Sequence, residues 1–342
     1  MKTLIAGSYR KPRGYFLGAG ICLILFFQMA WAEEVVVYSA RNEPLIKPLF
    51  DAYTQKEGVA VQLVTDKEGP LLVRLGAEGA RTPADILLTV DAGTLWQAAS
   101  QGLLSPVDSS LLREKIPAPL RDEENRWFGL SMRARTIVYH TQRVRPSDLS
   151  TYEALGDPKW KGRLCLRTSK KVYNQSLVAM MIVALGEKRV EQVVQGWVRN
   201  LAAPVFSDDT QVMEAIAAGQ CDVGIVNSYY YGRLKAKTPH LPLALFWANQ
   251  QDRGVHMNIT GAGLTRHAKH PKAALRLLEW LASDPAQQIF ARLDFEYPAN
   301  PQIAPTPSVA AWGTFKQDST PMFQAGALQG LAVRLMDRAG YK

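Results

Sequence analysis

The stretch Glu33-Glu-Val-Val-Val-Tyr-Ser-Ala-Arg41 has the apolar run of a buried β-strand and ends in a polar turn. An amphipathic helix is predicted next from the spacing of five apolar side chains: Leu45, Ile46, Leu49, Phe50 and Tyr53. The segments after it predict a strand, a helix, a strand and a helix over residues 59–64, 71–78, 84–89 and 95–101. Strands that alternate with helices are typical of a parallel sheet. We therefore expect an α/β fold.

The rest of the chain continues this mixture after a polar, proline-containing connection over residues 106–125. Strands are predicted near residues 136–139, 163–167, 221–226 and 255–264, and helices over 175–185, 190–201, 209–218, 271–282 and 322–336. A length of 342 residues suits two domains of about 150 residues each. Two lobes between which the chain crosses more than once fit this order better than two separate domains in succession.

The first residues have the pattern of a secretory signal peptide. Four basic residues stand in the first 13 positions, an apolar stretch covers residues 21–27, and Ala30-Trp-Ala32 supplies the small residues of a cleavage site. The apolar stretch is shorter than the ~20 residues that a membrane span needs, so an N-terminal anchor is the weaker alternative. We expect residues 1–32 to be a signal peptide that is cleaved after about Ala32.

Cysteine usage points to a disulfide. Cys22 lies in the predicted leader, which leaves Cys165 and Cys221, each at the start of a predicted strand. An even number of cysteines in an oxidising compartment favours a disulfide, and two buried free thiols are the alternative. Closing so long a loop would stabilise the fold by about 4 kcal/mol on the chain-entropy model.

The net charge is +9 for the whole chain and falls to about +5 without the leader. The leader holds four of the 40 basic residues and none of the 31 acidic ones, which leaves 36 against 31. The sequence has no basic block and no interleaving of basic and aromatic residues of the kind that binds nucleic acids. This moderate excess suits a carrier of anions or of metal–anion complexes, and we expect no nucleic-acid partner.

Three consecutive tyrosines, Tyr229, Tyr230 and Tyr231, follow the strand pattern Asp222-Val-Gly-Ile-Val-Asn-Ser228. Asn and Ser favour a helix start, so the tyrosines stand where a strand leads into a helix. Neighbours on a regular helix point about 100° apart, but the turn at such a junction lets Tyr229 and Tyr230 converge while Tyr231 points elsewhere. Two phenol oxygens at one point suit a hard trivalent cation such as ferric iron, whose charge offsets the cost of deprotonation.

Polar clusters at residues 38–43, 133–135 and 172–177, together with the tyrosines, each stand just past a strand or at a helix start. Ligands of open α/β sheets bind at the carboxyl ends of strands, so these clusters can line one cleft. The arginines that could offer forked donors to carbonate or phosphate there are Arg41, Arg133 and Arg135. Alternatively, the tyrosines cover the edge of a core and the arginines are solvated.

Motifs that carry catalysis are missing from the sequence. It contains no Gly-x-Ser-x-Gly, no phosphate-binding loop and no His-Glu-x-x-His, and no convincing acid–base pair is visible. We therefore expect a binding protein and not an enzyme.

Four spaced motifs carry a resemblance to a known family: Tyr38-Ser-Ala-Arg41, Trp127-Phe-Gly-Leu-Ser-Met-Arg-Ala-Arg135, Val172-Tyr-Asn-Gln-Ser-Leu177 and Asn227-Ser-Tyr-Tyr-Tyr-Gly-Arg-Leu234. Together with the leader they resemble the ferric-iron-binding proteins of bacterial ABC importers, over nearly the whole chain after the leader. The resemblance implies a two-lobed periplasmic-binding-protein fold of type II. Each lobe would be a mixed, mostly parallel sheet flanked by helices, and the cleft would lie between the lobes.

The same resemblance implies a ligand set for Fe(III), namely Tyr173, Tyr229 and Tyr230. It also implies that an arginine of residues 133–135 holds a synergistic anion such as carbonate. Arg133 is the preferred candidate, and Arg135 and Arg41 are further ones.

One position departs from the family pattern. Where many relatives carry a His and a Tyr that serve as first-lobe ligands, this chain has Asn42 and Glu43. Glu43 could supply a hard carboxylate to the metal. Otherwise the first lobe supplies no ligand, and an anion or water fills the remaining positions.

We expect residues 33–130 and about 250–310 to form the first lobe and residues 131–249 the second, with residues 311–342 packed on the second. The expected function is that of a periplasmic Fe(III)-binding subunit of an ABC-type iron importer, a monomer that delivers ferric ion to an inner-membrane permease. The alternative is a subunit that binds an anionic solute, such as a phosphonate or a phosphate ester, without metal.

Overall fold

The computed structural model describes residues 3–4, 7 and 33–342. The predicted signal peptide at residues 1–32, with Cys22, lies outside the described residues except for positions 3, 4 and 7. Within these ranges, none of the helices combines the length and apolarity that a membrane crossing requires.

Strands and helices alternate along the chain, as the sequence predicts. The strands are β1 (Glu34–Ser39), β2 (Ala60–Thr65), β3 (Ile86–Thr89), β4 (Phe128–His140), β5 (Leu164–Cys165), β6 (Val223–Asn227), β7 (Leu243–Phe246), β8 (Met257–Leu264) and β9 (Tyr297–Pro298). The helices are α1 (Glu43–Glu57), α2 (Glu68–Glu78), α3 (Ala92–Ser100), α4 (Ser110–Lys115), α5 (Val172–Leu185), α6 (Glu187–Asn200), α7 (Asp209–Ala217), α8 (Ser228–Lys237), α9 (Pro271–Ala282), α10 (Asp284–Asp294), α11 (Pro307–Ala310) and α12 (Met322–Arg338).

Helix α1 illustrates how local sequence sets these bounds. Asn42 precedes it in an extended conformation, and Pro44 stands in its first turn, where a missing N–H costs nothing. Gly58 ends it with φ 70°, and the Gly58 N–H donates to the Thr54 carbonyl at 2.9 Å. Its buried face consists of Ile46, Leu49, Phe50 and Tyr53, and the fifth residue predicted for that face, Leu45, is only half-buried. Each such side chain contributes about 1.5–3 kcal/mol on burial.

The strand order is β2-β1-β3-β8-β4-β6-β5. The long strand β4 joins two sheets, because its residues 128–134 pair with β8 and its residues 135–139 pair with β6. We call β2, β1, β3, β8 and the first half of β4 the first sheet. The second half of β4 with β6, β5 and β7 is the second sheet. This crossing strand explains how one chain can build two bodies on either side of a cleft.

The sheets are mixed, as predicted, but they are less parallel than predicted. Strand β1 pairs in parallel with β2 and β3, and β5 pairs in parallel with β6. Every pairing of β4 and β8 is antiparallel. Strand β8 lies between β3 and β4 and runs opposite to both, so the parallel arrangement of β2, β1 and β3 ends there.

Cys165 and Cys221 form a disulfide with a Cα–Cα distance of 6.0 Å, which confirms that prediction. The bond ties the end of β5 to the residues that lead into β6. Two local predictions need correction. The connection over residues 106–125 contains the short helix α4, which Ser109 caps, and the strand predicted near residues 136–139 is the end of the 13-residue strand β4.

Helix α12 contacts both parts of the molecule. Gln329 Nε2 donates to Asp91 Oδ2 at 2.9 Å beside α3, and Tyr341, just past α12, donates its hydroxyl to the Arg167 carbonyl at 2.6 Å. The lobe boundaries stated above stay a prediction.

Candidate metal centre

A small polar cavity of about 140 Å³ collects most of the predicted site residues. The first-sheet side contributes Arg41, Asn42, Asp294 and Glu296, and the second-sheet side contributes Arg167, Lys171, Tyr173, Tyr229, Tyr230 and Arg233. Arg133, on the crossing strand β4, also lines it. A larger cavity of about 390 Å³, whose lining includes five prolines and three methionines, contains none of the predicted site residues, so the chemistry belongs to the smaller one.

The hydroxyls of Tyr173 and Tyr229 meet in this cavity at 3.1 Å. Small octahedral cations hold oxygen ligands at about 2.1 Å, so neighbouring oxygens around such an ion lie about 3 Å apart. The two phenol oxygens therefore already have the separation of adjacent ligands on one metal ion, although they come from residues 56 positions apart.

Tyr230 lies beside this pair, and Tyr231 does not. The rings of Tyr229 and Tyr230 stack with centroids 4.6 Å apart, and Arg167 Nη1 donates to the Tyr230 hydroxyl at 3.5 Å. Tyr231 donates its hydroxyl to the Leu243 carbonyl at 3.3 Å, and its ring packs edge-on against Trp312. The structure thus brings Tyr229 and Tyr230 together and turns Tyr231 away, in the arrangement expected of a strand-to-helix junction.

Both tyrosine segments begin a helix. Tyr173 is the second residue of α5, and Tyr229 and Tyr230 are the second and third residues of α8. The first turn of a helix presents unpaired N–H groups and a partial positive charge. This environment favours phenolate over phenol and favours bound anions.

Tyr229 carries a proton in the metal-free protein. Burial raises its pKa well above 10, and the neighbouring phenols of Tyr173 and Tyr230 raise it further, whereas Arg133 acts in the opposite direction. A ligand that converts this phenol to a phenolate must supply a compensating positive charge, which is what a trivalent metal ion does.

Cationic groups surround the tyrosine rings. The guanidinium of Arg167 lies 5.4 Å from the Tyr173 ring centroid, that of Arg233 lies 4.9 Å from the Tyr229 centroid, and Lys171 Nζ lies 4.8 Å from the Tyr173 centroid. Arg133 donates to the Val90 carbonyl, but in the described part of the chain its Nε has no partner, and neither does Nε of Arg167. Buried donors without partners suit an anion in the cavity.

Arg41 lines the cavity but is already engaged. Its Nη1 donates to Glu296 at 3.0 Å and to Thr260 at 2.8 Å, and its Nη2 lies 3.3 Å from Asp294. Arg233 also pairs with Asp294, so this carboxylate joins α8 to the end of α10.

The two carboxyl groups in this network titrate differently. Burial and the neighbouring Glu296 raise the pKa of Asp294 to about 6, against the influence of Arg41 and Arg233. Burial also opposes ionisation of Glu296, but Arg41 and Arg133 outweigh it and lower the pKa of that group. Glu296 therefore loses its proton more readily than Asp294 does.

Two sequence candidates do not reach the cavity. Glu43 is exposed in the first turn of α1 and lines an open depression that borders the cavity and shares Arg41, Asn42 and Lys171 with it. Arg135 is almost fully buried, and its guanidinium binds Asn174, Asp209 and Asn227.

Five cavity residues were not predicted: Arg167, Lys171, Arg233, Asp294 and Glu296. Arg167 and Lys171 stand between a predicted strand and a helix start, and Arg233 is four residues after Tyr229, so positional rules could have indicated them. Asp294 and Glu296 are about 250 residues from Arg41 and have no local signal.

The groups in this cavity that could bind a metal ion are oxygen donors. In residues 33–342 no group of three or more His, Cys, Asp or Glu side chains is placed to hold a metal ion. The available ligands are phenol oxygens, because the two carboxylates of the cavity are already paired with arginines. Hard oxygen donors of this kind suit hard cations.

Known proteins resemble the chain over most of its length. Residues 35–296 match the family described as bacterial extracellular solute-binding protein. Iron uptake protein A1 of Synechocystis is 39% identical, with 91% of this chain and 88% of that protein covered. The Fe(3+)-binding periplasmic protein of Serratia marcescens is 28% identical, with 95% and 96% covered. The Trichodesmium protein IdiA, or FutA, solved in complex with iron and citrate ligands, is 42% identical with a TM-score of 0.86, and 90% of this chain and 100% of that chain are covered.

These likenesses extend over both sheets and the tyrosine cavity. The structural agreement confirms the two-lobed α/β fold predicted from the sequence. A family of solute-binding proteins also confirms the prediction of a binding protein in place of an enzyme. With more than half of its length matched by the family and a relative 39% identical over 91% of it, the chain belongs to the bacterial extracellular solute-binding proteins.

Proposed function

We propose that this protein is the Fe(III)-binding subunit of a bacterial ABC-type importer, and that Tyr173, Tyr229 and Tyr230 bind the ion as phenolates. The observation that carries the proposal is the 3.1 Å contact between the Tyr173 and Tyr229 hydroxyls, with Tyr230 stacked beside them in one small cavity. The names of the relatives from Synechocystis and Serratia marcescens support iron as the cargo.

Charge balance supports an accompanying anion. Among the described residues that line the cavity, five are basic and two are acidic, an excess of three positive charges. Three phenolates would neutralise that excess, and a ferric ion would then restore it. Carbonate would remove two of these three charges and a tribasic polycarboxylate would remove all three, and the unpaired Nε groups of Arg133 and Arg167 are suitable donors for either anion.

The first-sheet side supplies no metal ligand in this proposal. Glu43 lies outside the cavity, and Asp294 and Glu296 are paired with Arg41. The anion, or water, therefore occupies the coordination positions that face Arg41 and Asn42. We take Arg133 as the main anion-binding residue, with Arg167 beside it, and assign no such role to Arg41.

Capture and delivery follow from the two-lobed fold. The protein is exported by its signal peptide, works as a monomer in the periplasm and closes its lobes around the loaded ion. The ion binds tyrosines of the second-sheet side, and the anion or water on it faces Arg41 and Asn42 of the first-sheet side, so the loaded site favours the closed state. An inner-membrane permease then recognises the closed, loaded protein.

The test uses protein purified without chelators and titrated with ferric ion in the presence of bicarbonate or citrate. A visible phenolate-to-iron charge-transfer band should appear at one ion per chain. Tyr229→Phe and Tyr230→Phe should weaken or abolish the band, and Tyr231→Phe, a matched loss of one phenol hydroxyl outside the cavity, should leave it unchanged. Absence of any band and of any heat with iron, together with calorimetric binding of a phosphonate, would instead establish the anionic-solute alternative.

A further inference from the structure

Arg135 occupies the point where strand β4 passes from the first sheet to the second. Its backbone N–H donates to the His256 carbonyl at 3.0 Å beside the first sheet, and its Cα is paired with Asn227 of β6 in the second. The side chain is 2% exposed, which makes it one of the most deeply buried charged groups among the described residues. It does not line the tyrosine cavity.

The guanidinium binds three side chains from three different elements. Nε and Nη2 donate to Asn174 Oδ1 at 2.9 and 2.7 Å, and Nη1 donates to Asp209 Oδ2 and Asn227 Oδ1, each at 3.0 Å. Nη2 also donates to the Ile225 carbonyl at 3.2 Å. All five N–H groups of an arginine point outwards in a fixed plane, so one side chain can set the distances among several partners.

Each of these partners adjoins a residue of the cavity. Asn174 follows Tyr173, and its amide nitrogen donates to the carbonyls of Arg167 and Thr168 at 3.0 and 2.9 Å. Asn227 is separated from Tyr229 by a single residue.

Asp209 closes the network. It accepts from the Asn227 N–H at 2.8 Å, and its Oδ1 lies 3.7 Å from Arg167 Nη1. The start of α5, the start of α8 and Arg167 are therefore all linked to the buried guanidinium of Arg135, through Asn174, Asn227 and Asp209 respectively.

We propose that Arg135 is a positioning residue for the metal centre: it fixes the start of α5 relative to the start of α8 and so sets the separation of the Tyr173 and Tyr229 phenols. The inference rests on the proposed function and assigns to Arg135 a role through Asn174 and Asn227, not the anion contact predicted from the sequence. Its side-chain partners belong to α5, α7 and β6, all on the second-sheet side, so the arrangement needs no closure of the lobes.

The test is the variant Arg135→Lys, which keeps the buried positive charge beside Asp209 and loses the planar set of guanidinium N–H donors. Iron affinity should fall by about 10- to 100-fold, the usual effect of removing an outer-shell partner of a metal ligand. The loss should be the same at low and at saturating bicarbonate, because the residue does not touch the anion. In a Tyr173→Phe background the same change should have a much smaller effect, since the positioned ligand is already missing.

Arg253→Lys is the matched control, because Arg253 is paired with Glu153 and Asp318 away from the cavity and its replacement should leave iron affinity unchanged. If Arg135→Lys does not fold, Asn174→Ala replaces it and should weaken iron binding in the same way. Unchanged affinity, or a loss that disappears at saturating bicarbonate, would overturn the inference. Failure of the proposed function is a separate result, because the unaltered protein would then bind no iron.

Discussion

Counting protons tests phenolate ligation directly, and Tyr229→Phe is the perturbation that isolates one ligand. Burial, with the phenols of Tyr173 and Tyr230, holds the pKa of Tyr229 well above 10, so this ligand is protonated before iron binds. If all three tyrosines bind as phenolates, about three protons leave for each ferric ion. Apparent affinity would then rise about a thousandfold per pH unit, or about 4 kcal/mol, because one proton corresponds to about 1.4 kcal/mol per unit.

The assay is a pH-stat titration of the protein with a ferric chelate whose own proton content is known, carried out between about pH 6.5 and 8, below the ordinary tyrosine pKa near 10. After correction for the chelator, and for the proton released when bicarbonate binds as carbonate, the unaltered protein should release three protons per ion and Tyr229→Phe should release two. Tyr231→Phe removes a hydroxyl that donates to the Leu243 carbonyl, outside the cavity, and should still release three. Each of the three proteins that still binds iron should bind one ion per chain.

Equal proton release from the unaltered protein and from Tyr229→Phe would refute the reasoning. It would mean that this phenol binds as a neutral group or does not bind at all. A release below two protons in the unaltered protein would likewise rule out a site made of three phenolates, whatever colour the complex showed.

Other changes test other parts of the site and fold. Glu43→Ala should leave the iron dissociation constant unchanged, because Glu43 lies outside the cavity, and a competition titration would measure it. Replacing both Cys165 and Cys221 by serine should lower the free energy of unfolding by about 4 kcal/mol in urea denaturation, since the bond closes a loop with a sequence separation of 56. Asp294 binds its proton near pH 6 in the fold and near pH 4 when unfolded, so its contribution to stability is present at low pH and is lost as pH rises through 6. Urea denaturation at pH 4.5 and 6.5 should therefore show that the stability difference between the unaltered protein and Asp294→Asn falls with rising pH.

Local patterns predicted most of the helices and strands because their signals lie within one element. Helix α9 begins at Pro271 and ends at Ala282 as the sequence predicts, since proline favours the first turn and the apolar spacing is regular. Strand β4 was predicted only in part. Arg133 and Arg135 interrupt its apolar pattern, and both are buried only because partners far along the chain accept their hydrogen bonds.

The same distinction separates the predicted from the unpredicted residues of the site. The convergence of Tyr229 and Tyr230 follows from a strand-to-helix junction, which can be recognised from consecutive residues of the sequence. Glu43 lines the depression that borders the cavity and not the cavity itself. The engagement of Arg41 depends on Asp294 and Glu296, which tertiary folding alone brings near. Side chains whose partners are distant in sequence cannot be assigned a role from local spacing.

The position of the phenols bears on the order of binding and closure. Tyr173, Tyr229 and Tyr230 all stand at the starts of helices on the second-sheet side of the cavity, and Arg135 links those starts through Asn174 and Asn227. We infer that the open protein already presents its protein ligands and that iron binds them before the lobes close. Closure then adds contacts to the anion, so anion concentration should change the rate of iron release more than the rate of iron capture.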